Sequence, residues 1–198
     1  MLNNWRRKIE PITSTIGMKF SSLGLSPTFW STIGFVLAIA AAAAFGLSTH
    51  FASLPLVPIA SILLIFSGFF DVVDGSVARY ANKSTRTGAF IDSVYDKFAE
   101  IFVFIGISLG GLANPTLCIV AASLSLMVSY SRARAESLCI ELKGIGIGER
   151  AERLLVIAVA GFIPYPNSVE IGTLIVAALS AITFMQRTLH IIRKLRLV

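Results

Sequence analysis

The chain has 198 residues, 55% of them hydrophobic, above the roughly 45–50% apolar share of soluble domains. Its mean hydropathy is +0.79 and long apolar runs recur, which excludes an ordinary soluble domain and indicates an integral membrane protein. Its 17 Lys and Arg outnumber 11 Asp and Glu, a net charge of +6, but these charges gather at the ends of apolar runs, a distribution that fits membrane topology rather than nucleic-acid binding.

The first element is basic and amphipathic. In "LNNWRRKIEPITSTIGMKFSSLGL", Trp5, Ile9, Ile12, Ile16 and Phe20 recur at steps of three and four. One apolar face on a basic helix suits a helix lying in the cytoplasmic interface, with Pro11 as a kink or a start. No apolar core or small-residue cleavage site follows the basic "WRRK", so a signal peptide is not expected.

A membrane-spanning helix needs about 20 mostly apolar residues. Six segments qualify in chain order, at roughly 30–49, 54–79, 88–111, 115–138, 151–166 and 169–191, the fifth being short. The expected architecture is therefore all-α: one membrane domain over 1–198, with an interfacial helix in 1–26 and a six-helix bundle in 27–198.

The basic residues alternate with the spans. Arg6, Arg7, Lys8 and Lys19 precede the first span, and Arg79, Lys83, Arg86 and Lys97 surround the second connection. Arg132, Arg134, Lys143, Arg150 and Arg153 surround the fourth, and Arg187, Arg193, Lys194 and Arg196 close the chain. The other connections carry none, which puts both termini in the cytoplasm. Cys118 and Cys139 lie in apolar sequence, where buried, unreactive thiols are expected, and His50 and His190 stand in no metal-ligand spacing.

Four aspartates interrupt this apolar chain. Asp71 and Asp74 are three apart near the cytoplasmic end of the second span, and Asp92 and Asp96 are four apart near the start of the third. Each pair shares a helical face. The short connection predicts that the two helices are antiparallel neighbours, so the four carboxylates converge in a shallow cytoplasmic cavity. Acids this close repel one another, and divalent cations remove the repulsion. Hard oxygen ligands suit Mg²⁺, Mn²⁺ or Ca²⁺, and paired metals serve phosphoryl chemistry. The other reading pairs these acids with Arg79, Arg86 and Lys97. Small Gly75 and Ala78 leave room for a flat group, Arg79 offers a fork for phosphate oxygens, and Gly88 permits a close backbone approach.

The stretch resembles the signature of the CDP-alcohol phosphotransferase family, D-x2-D-G-x2-A-R-x8-G-x3-D-x3-D, with every fixed position present from Asp71 to Asp96. The resemblance implies transfer of the phosphatidyl-type group of a CDP-lipid (CDP-diacylglycerol or CDP-archaeol) to an alcohol, with release of CMP. It further implies a two-metal Mg²⁺ or Mn²⁺ site with ligands Asp71, Asp74, Asp92 and Asp96, and Asp96 as catalytic base. Gly75, Ala78, Arg79 and Gly88 would receive the CDP-lipid, in a plasma-membrane homodimer with a cytoplasmic active site. Relatives read Leu-Thr-Pro-Asn-x-x-Thr just before the first span, with the Asn and Thr near the nucleotide. Thr28 and Ser31 stand there in this chain, as nucleotide contacts or as helix caps.

Three basic places follow in "SYSRARAES", "GERAERLL" and "QRTLHIIRK". Arg132, Arg153 and Arg187 each sit close to apolar helical sequence, where an anionic acceptor would give a cation its partner. These segments resemble the family branch that makes phosphatidylinositol phosphate or archaetidylinositol phosphate. That likeness implies that Arg132, Arg153 and Arg187 hold the phosphate of inositol 1-phosphate. A glycerol 3-phosphate acceptor is the alternative. A cation-coupled transporter is a further one, but it would more often place its charges at the midplane in repeated halves. A prenyl-transferring enzyme would need more spans and other aspartate spacings. The "KGIGIGER" turn lacks P-loop spacing and reads as a flexible lid or turn.

Overall fold

The computed structural model describes residues 13–51, 54–82, 84–142 and 144–196. All regular structure among them is helical. Helix α1 covers residues 13–21. It is followed by α2 (Pro27–Leu47), α3 (Leu56–Tyr80), α4 (Arg86–Leu109), α5 (Pro115–Ser137), α6 (Arg150–Phe162) and α7 (Ser168–Leu195).

Local chemistry sets the ends of these helices. Ser26 caps α2, its hydroxyl accepting from the Phe29 N–H at 3.2 Å, and Pro27 stands in the first turn. Thr85 caps α4 by accepting from Gly88 N–H at 3.0 Å, and Asn114 caps α5 by accepting from Thr116 N–H at 2.8 Å. Cys139 ends α5 in the left-handed region, with φ 58°. It is exposed, so the expectation of a buried thiol holds for Cys118 alone. A residue just past a helix end has left the face that the apolar pattern predicts.

Four helices, α2, α3, α5 and α7, are long and apolar enough to cross a bilayer. The other two candidate spans differ. Helix α4 carries Asp92, Asp96, Lys97 and Glu100, and α6 has only 13 residues, about 20 Å at helical rise. Large apolar side chains such as Leu109, Ile119 and Met185 point outward, as suits a lipid-facing surface.

Small residues let the helices approach closely. A Cβ on Gly106 of α4, or on Gly110 just past its end, would press into the Ala42 or Phe45 carbonyl of α2, and one on Gly161 of α6 would press into Ser61 of α3. Helix α2 thus carries both α3 and α4, α6 bridges α3 and α7, and α5 pairs with α7. Ser125 and Ser180 meet across the last pair at 3.2 Å. The expected α3–α4 pairing is corrected here. The two helices hardly touch, because each packs on the Ala-rich face of α2, and this leaves an opening between their aspartates.

The described part of α1 turns Ile16 and Phe20 inward against Trp30, Val73 and Val77. Phe20 meets Trp30 edge-on at 5.0 Å, and Gly17 lies where a Cβ would stand 2.7 Å from the Ser76 carbonyl. The apolar face read as lipid-facing is in this part a docking face for α2 and α3. Trp5, Ile9, Pro11 and Ile12 lie outside the described residues, as do Arg6, Arg7, Lys8, Lys83 and Lys143.

Candidate active site

Asp71 and Asp74 come from α3 and Asp92 and Asp96 from α4, and all four line one small recess. Ser31 and Gly34 of α2, Ser67, Tyr95 and Arg150 complete its wall. One carboxylate oxygen from each of Asp71, Asp74 and Asp92 lies within 4.8 Å of the others. Asp74 is 6% exposed, and its Oδ2 is buried without a hydrogen-bond partner. Leaving a carboxylate oxygen so is costly unless something else binds it. Hard oxygen donors at this spacing, one of them orphaned, fit a divalent cation such as Mg²⁺ or Mn²⁺. Asp96 stands apart from that trio, half-buried, with Arg150 at 2.7 Å and Lys97 at 3.9 Å.

Arg150 is the residue that sequence reasoning missed. Its Nη1 lies 2.8 Å from Asp71 Oδ1 and 2.7 Å from Asp96 Oδ1. In sequence it is one of several cations around the fourth connection. The available signal was its place three residues before Arg153, hence on the same face of α6. The pairing of acids with Arg79, Arg86 and Lys97 is not what forms, apart from the loose Lys97–Asp96 contact.

Arg79 folds back over Gly75. Its Nη1 lies 3.2 Å from where a Gly75 Cβ would stand, so a larger residue there would push the guanidinium away, and its Nη2 donates to Ser76 Oγ at 3.4 Å. Ala78 is half-buried on the same helix. A Cβ on Gly88 would stand 3.4 Å from Thr28 Oγ1, which brings the α2 and α4 starts together. Neither Thr28 nor Ser31 caps α2, since Ser26 does. The Ser31 hydroxyl instead opens into the aspartate recess while donating to the Pro27 carbonyl at 3.3 Å.

A second, wider cavity of about 1120 Å³ adjoins this recess and shares Asp71, Asp92, Asp96 and Arg150 with it. Arg132, Arg153 and Arg187 all line it, together with Lys97 and Glu149. The expectation that these arginines lack partners in the protein is not met. Arg153 is fully buried and grips Glu100 bidentately, at 2.6 and 3.0 Å, while its Nη1 donates to the Gly148 carbonyl at 2.7 Å. Arg187 donates to the Ile145 and Val128 carbonyls, each at 3.0 Å, with Glu149 at 3.5 Å. Arg132 is exposed and paired with Glu136 at 3.0 Å. The Gly-rich stretch read as a flexible lid or turn is anchored at its far end. Gly148 is buried, and its N–H donates to Thr183 Oγ1 at 2.9 Å.

The sequence over residues 25–185 matches the family model described as CDP-alcohol phosphatidyltransferase. The chain belongs to this family. As a CDP-alcohol phosphatidyltransferase it is an enzyme that transfers a substituted phosphate group from a CDP-linked lipid to an alcohol. It is 36% identical over 197 residues to archaetidylinositol phosphate synthase of Pyrococcus horikoshii, covering 100% of both chains. It is 37% identical over 203 residues to archaetidylinositol phosphate synthase of Methanothermobacter thermautotrophicus, covering 99% of this chain and 96% of that one. A crystal structure of Mycobacterium tuberculosis phosphatidylinositol phosphate synthase with CDP-DAG bound is similar at TM-score 0.75 and 26% identity, over 91% of this transferase and 94% of that chain. The same mycobacterial protein in complex with manganese and citrate matches at TM-score 0.74, with 26% identity over 90% of this chain and 88% of that one.

Proposed function

We propose that this transferase moves the phosphatidyl-type group of CDP-archaeol or CDP-diacylglycerol to inositol 1-phosphate and releases CMP. One observation carries the reading: the cavity that holds Asp71, Asp92 and Asp96 also holds Arg132, Arg150, Arg153 and Arg187, so an anionic acceptor entering there meets cations beside the reacting centre. The names of the relatives support the choice of acceptor.

Asp71, Asp74, Asp92 and Asp96 would hold the divalent metals, Mg²⁺ or Mn²⁺. Bound there, they would supply positive charge that neutralises the charge developing on CMP. Arg79, lying over Gly75, would pair with diphosphate oxygens, while Gly75, Ala78, Gly88, Thr28 and Ser31 form the floor for the nucleotide. Asp96 would take the proton of the attacking hydroxyl as the new O–P bond forms and the bond to CMP breaks. Arg132 and Arg187 would attract the acceptor phosphate. Arg153 is neutralised by Glu100, so its part is to hold the cavity wall.

The reading includes six membrane crossings. The charged residues of α4 end at Glu100 and those of α6 at Arg153, leaving apolar remainders that can lie in lipid. An even number of crossings with basic residues on one side supports cytoplasmic termini and a cytoplasmic site, and the family resemblance supports the plasma membrane as its location. It also includes a homodimer, which the family resemblance supports.

An acceptor panel tests the central point. Purified enzyme with CDP-lipid should release CMP with inositol 1-phosphate and far less with free inositol. Equal or better use of glycerol 3-phosphate would replace the proposed acceptor.

A further inference from the structure

Two ion pairs join α4 to α6 like rungs one turn apart. Asp96 meets Arg150 in the upper rung, at 2.7 Å. Glu100, four residues on, meets Arg153, three residues on, in the lower rung, at 2.6 and 3.0 Å. The rungs differ in burial. The side chains of Arg153 and Glu100 are 2% and 4% exposed, whereas Arg150 and Asp96 are 17% and 18% exposed. A buried fork-to-fork pair allows little rotation, and Arg153 is further tied to the Gly148 carbonyl just before α6. The upper rung is looser. Arg150 bonds through Nη1 alone, and its buried Nε has no partner.

We propose that Arg150 is a tethered counter-cation that competes with the divalent metal for Asp71 and Asp96, and that the buried Glu100–Arg153 pair is the positioning element that aims it. The inference rests on the metal reading of the aspartates and goes beyond it. Asp71 joins the trio that fits a cation, and Asp71 and Asp96 are the two acids that Arg150 spans. An oxygen shared between a guanidinium and a dication binds each less well than it would alone. Glu100 and Arg153 are engaged with each other, so their effect on the site is exerted through Arg150. They set the rotation of the first turn of α6, and with it the point from which Arg150 reaches.

The test is Mn²⁺ binding to the purified full-length protein without CDP-lipid, read as free Mn²⁺ by electron paramagnetic resonance. Arg150→Gln should tighten binding by about tenfold or more. The double variant Glu100→Gln/Arg153→Met removes both charges of the buried pair and should tighten it by a comparable factor. Adding Arg150→Gln to that double variant should give no further gain, because aim and charge act through one contact. If the double variant does not fold, Arg153→Lys keeps the charge, loses the fork and carries the same expectation. Unchanged or weaker binding in Arg150→Gln would overturn the competition. Wild-type binding in the double variant, or full additivity with Arg150→Gln, would overturn the positioning role. Asp92→Asn separates this from the metal reading: undiminished Mn²⁺ binding there would remove that reading with Arg150 untouched.

Discussion

Asp96 stands at the junction of the two cavities, between Arg150 and Lys97, where a carboxylate can face both the acid cluster and an entering hydroxyl. Replacing it with Asn keeps the shape and removes the proposed proton acceptor. Asp96→Asn is expected to lower the CMP release rate by at least ~100-fold, the lower bound for a positioned proton acceptor, while CDP-lipid binding largely survives. Rates near wild type would take that role from Asp96. At this scale the sequence was informative where residue type and gap are both constrained, as for Asp71, Asp74, Asp92 and Asp96. It was uninformative for Glu100 and Arg150. One acid in an apolar helix carries no signal by itself, and the place of Arg150 three residues before Arg153 gives it a helix face but no partner until the fold brings α4 and α6 together.

Among the elements, helix positions were legible to within a few residues, because apolar runs, caps and turn residues all change at the same places. Helix neighbours were less so. A short connection implied α3 against α4, but the Ala-rich α2 offers both a closer fit, and chain proximity does not outweigh packing. The α2–α4 contact should then govern the distance between the aspartate pairs. Gly106 is one of its tightest points, with the Ala42 carbonyl where a Cβ would go. Gly106→Val is expected to cost about 1–3 kcal/mol in thermal unfolding and to depress CMP release by shifting Asp92 and Asp96. Gly68, with open space around its would-be Cβ, should accept Ala with little change in either. Equal effects at both positions would mean that the contact does not set the site.

Across the whole molecule, the alternation of basic residues gives a sidedness that can be tested with the native thiols. Cys139 is exposed just past α5, on the side assigned to the cytoplasm, and Cys118 is buried near the opposite end of that helix. A membrane-impermeant thiol reagent should label Cys139 in inside-out vesicles and not from outside intact cells. Labelling from outside would invert the topology. The all-helical class and the four long apolar helices were readable from hydropathy. The wide cavity was not, since it depends on how α4, α5, α6 and α7 lean together.

The claim beneath all three scales is that acids at the bilayer edge are held there to bind the metals on which the CDP-lipid reacts. Chelator-stripped enzyme, supplied with CDP-lipid and inositol 1-phosphate, is therefore the most direct assay. CMP release should be absent, return as Mn²⁺ or Mg²⁺ is titrated back, and fail to return in Asp92→Asn. Full CMP release from the stripped enzyme, or metal-restored release in Asp92→Asn at the wild-type metal concentration, would contradict it.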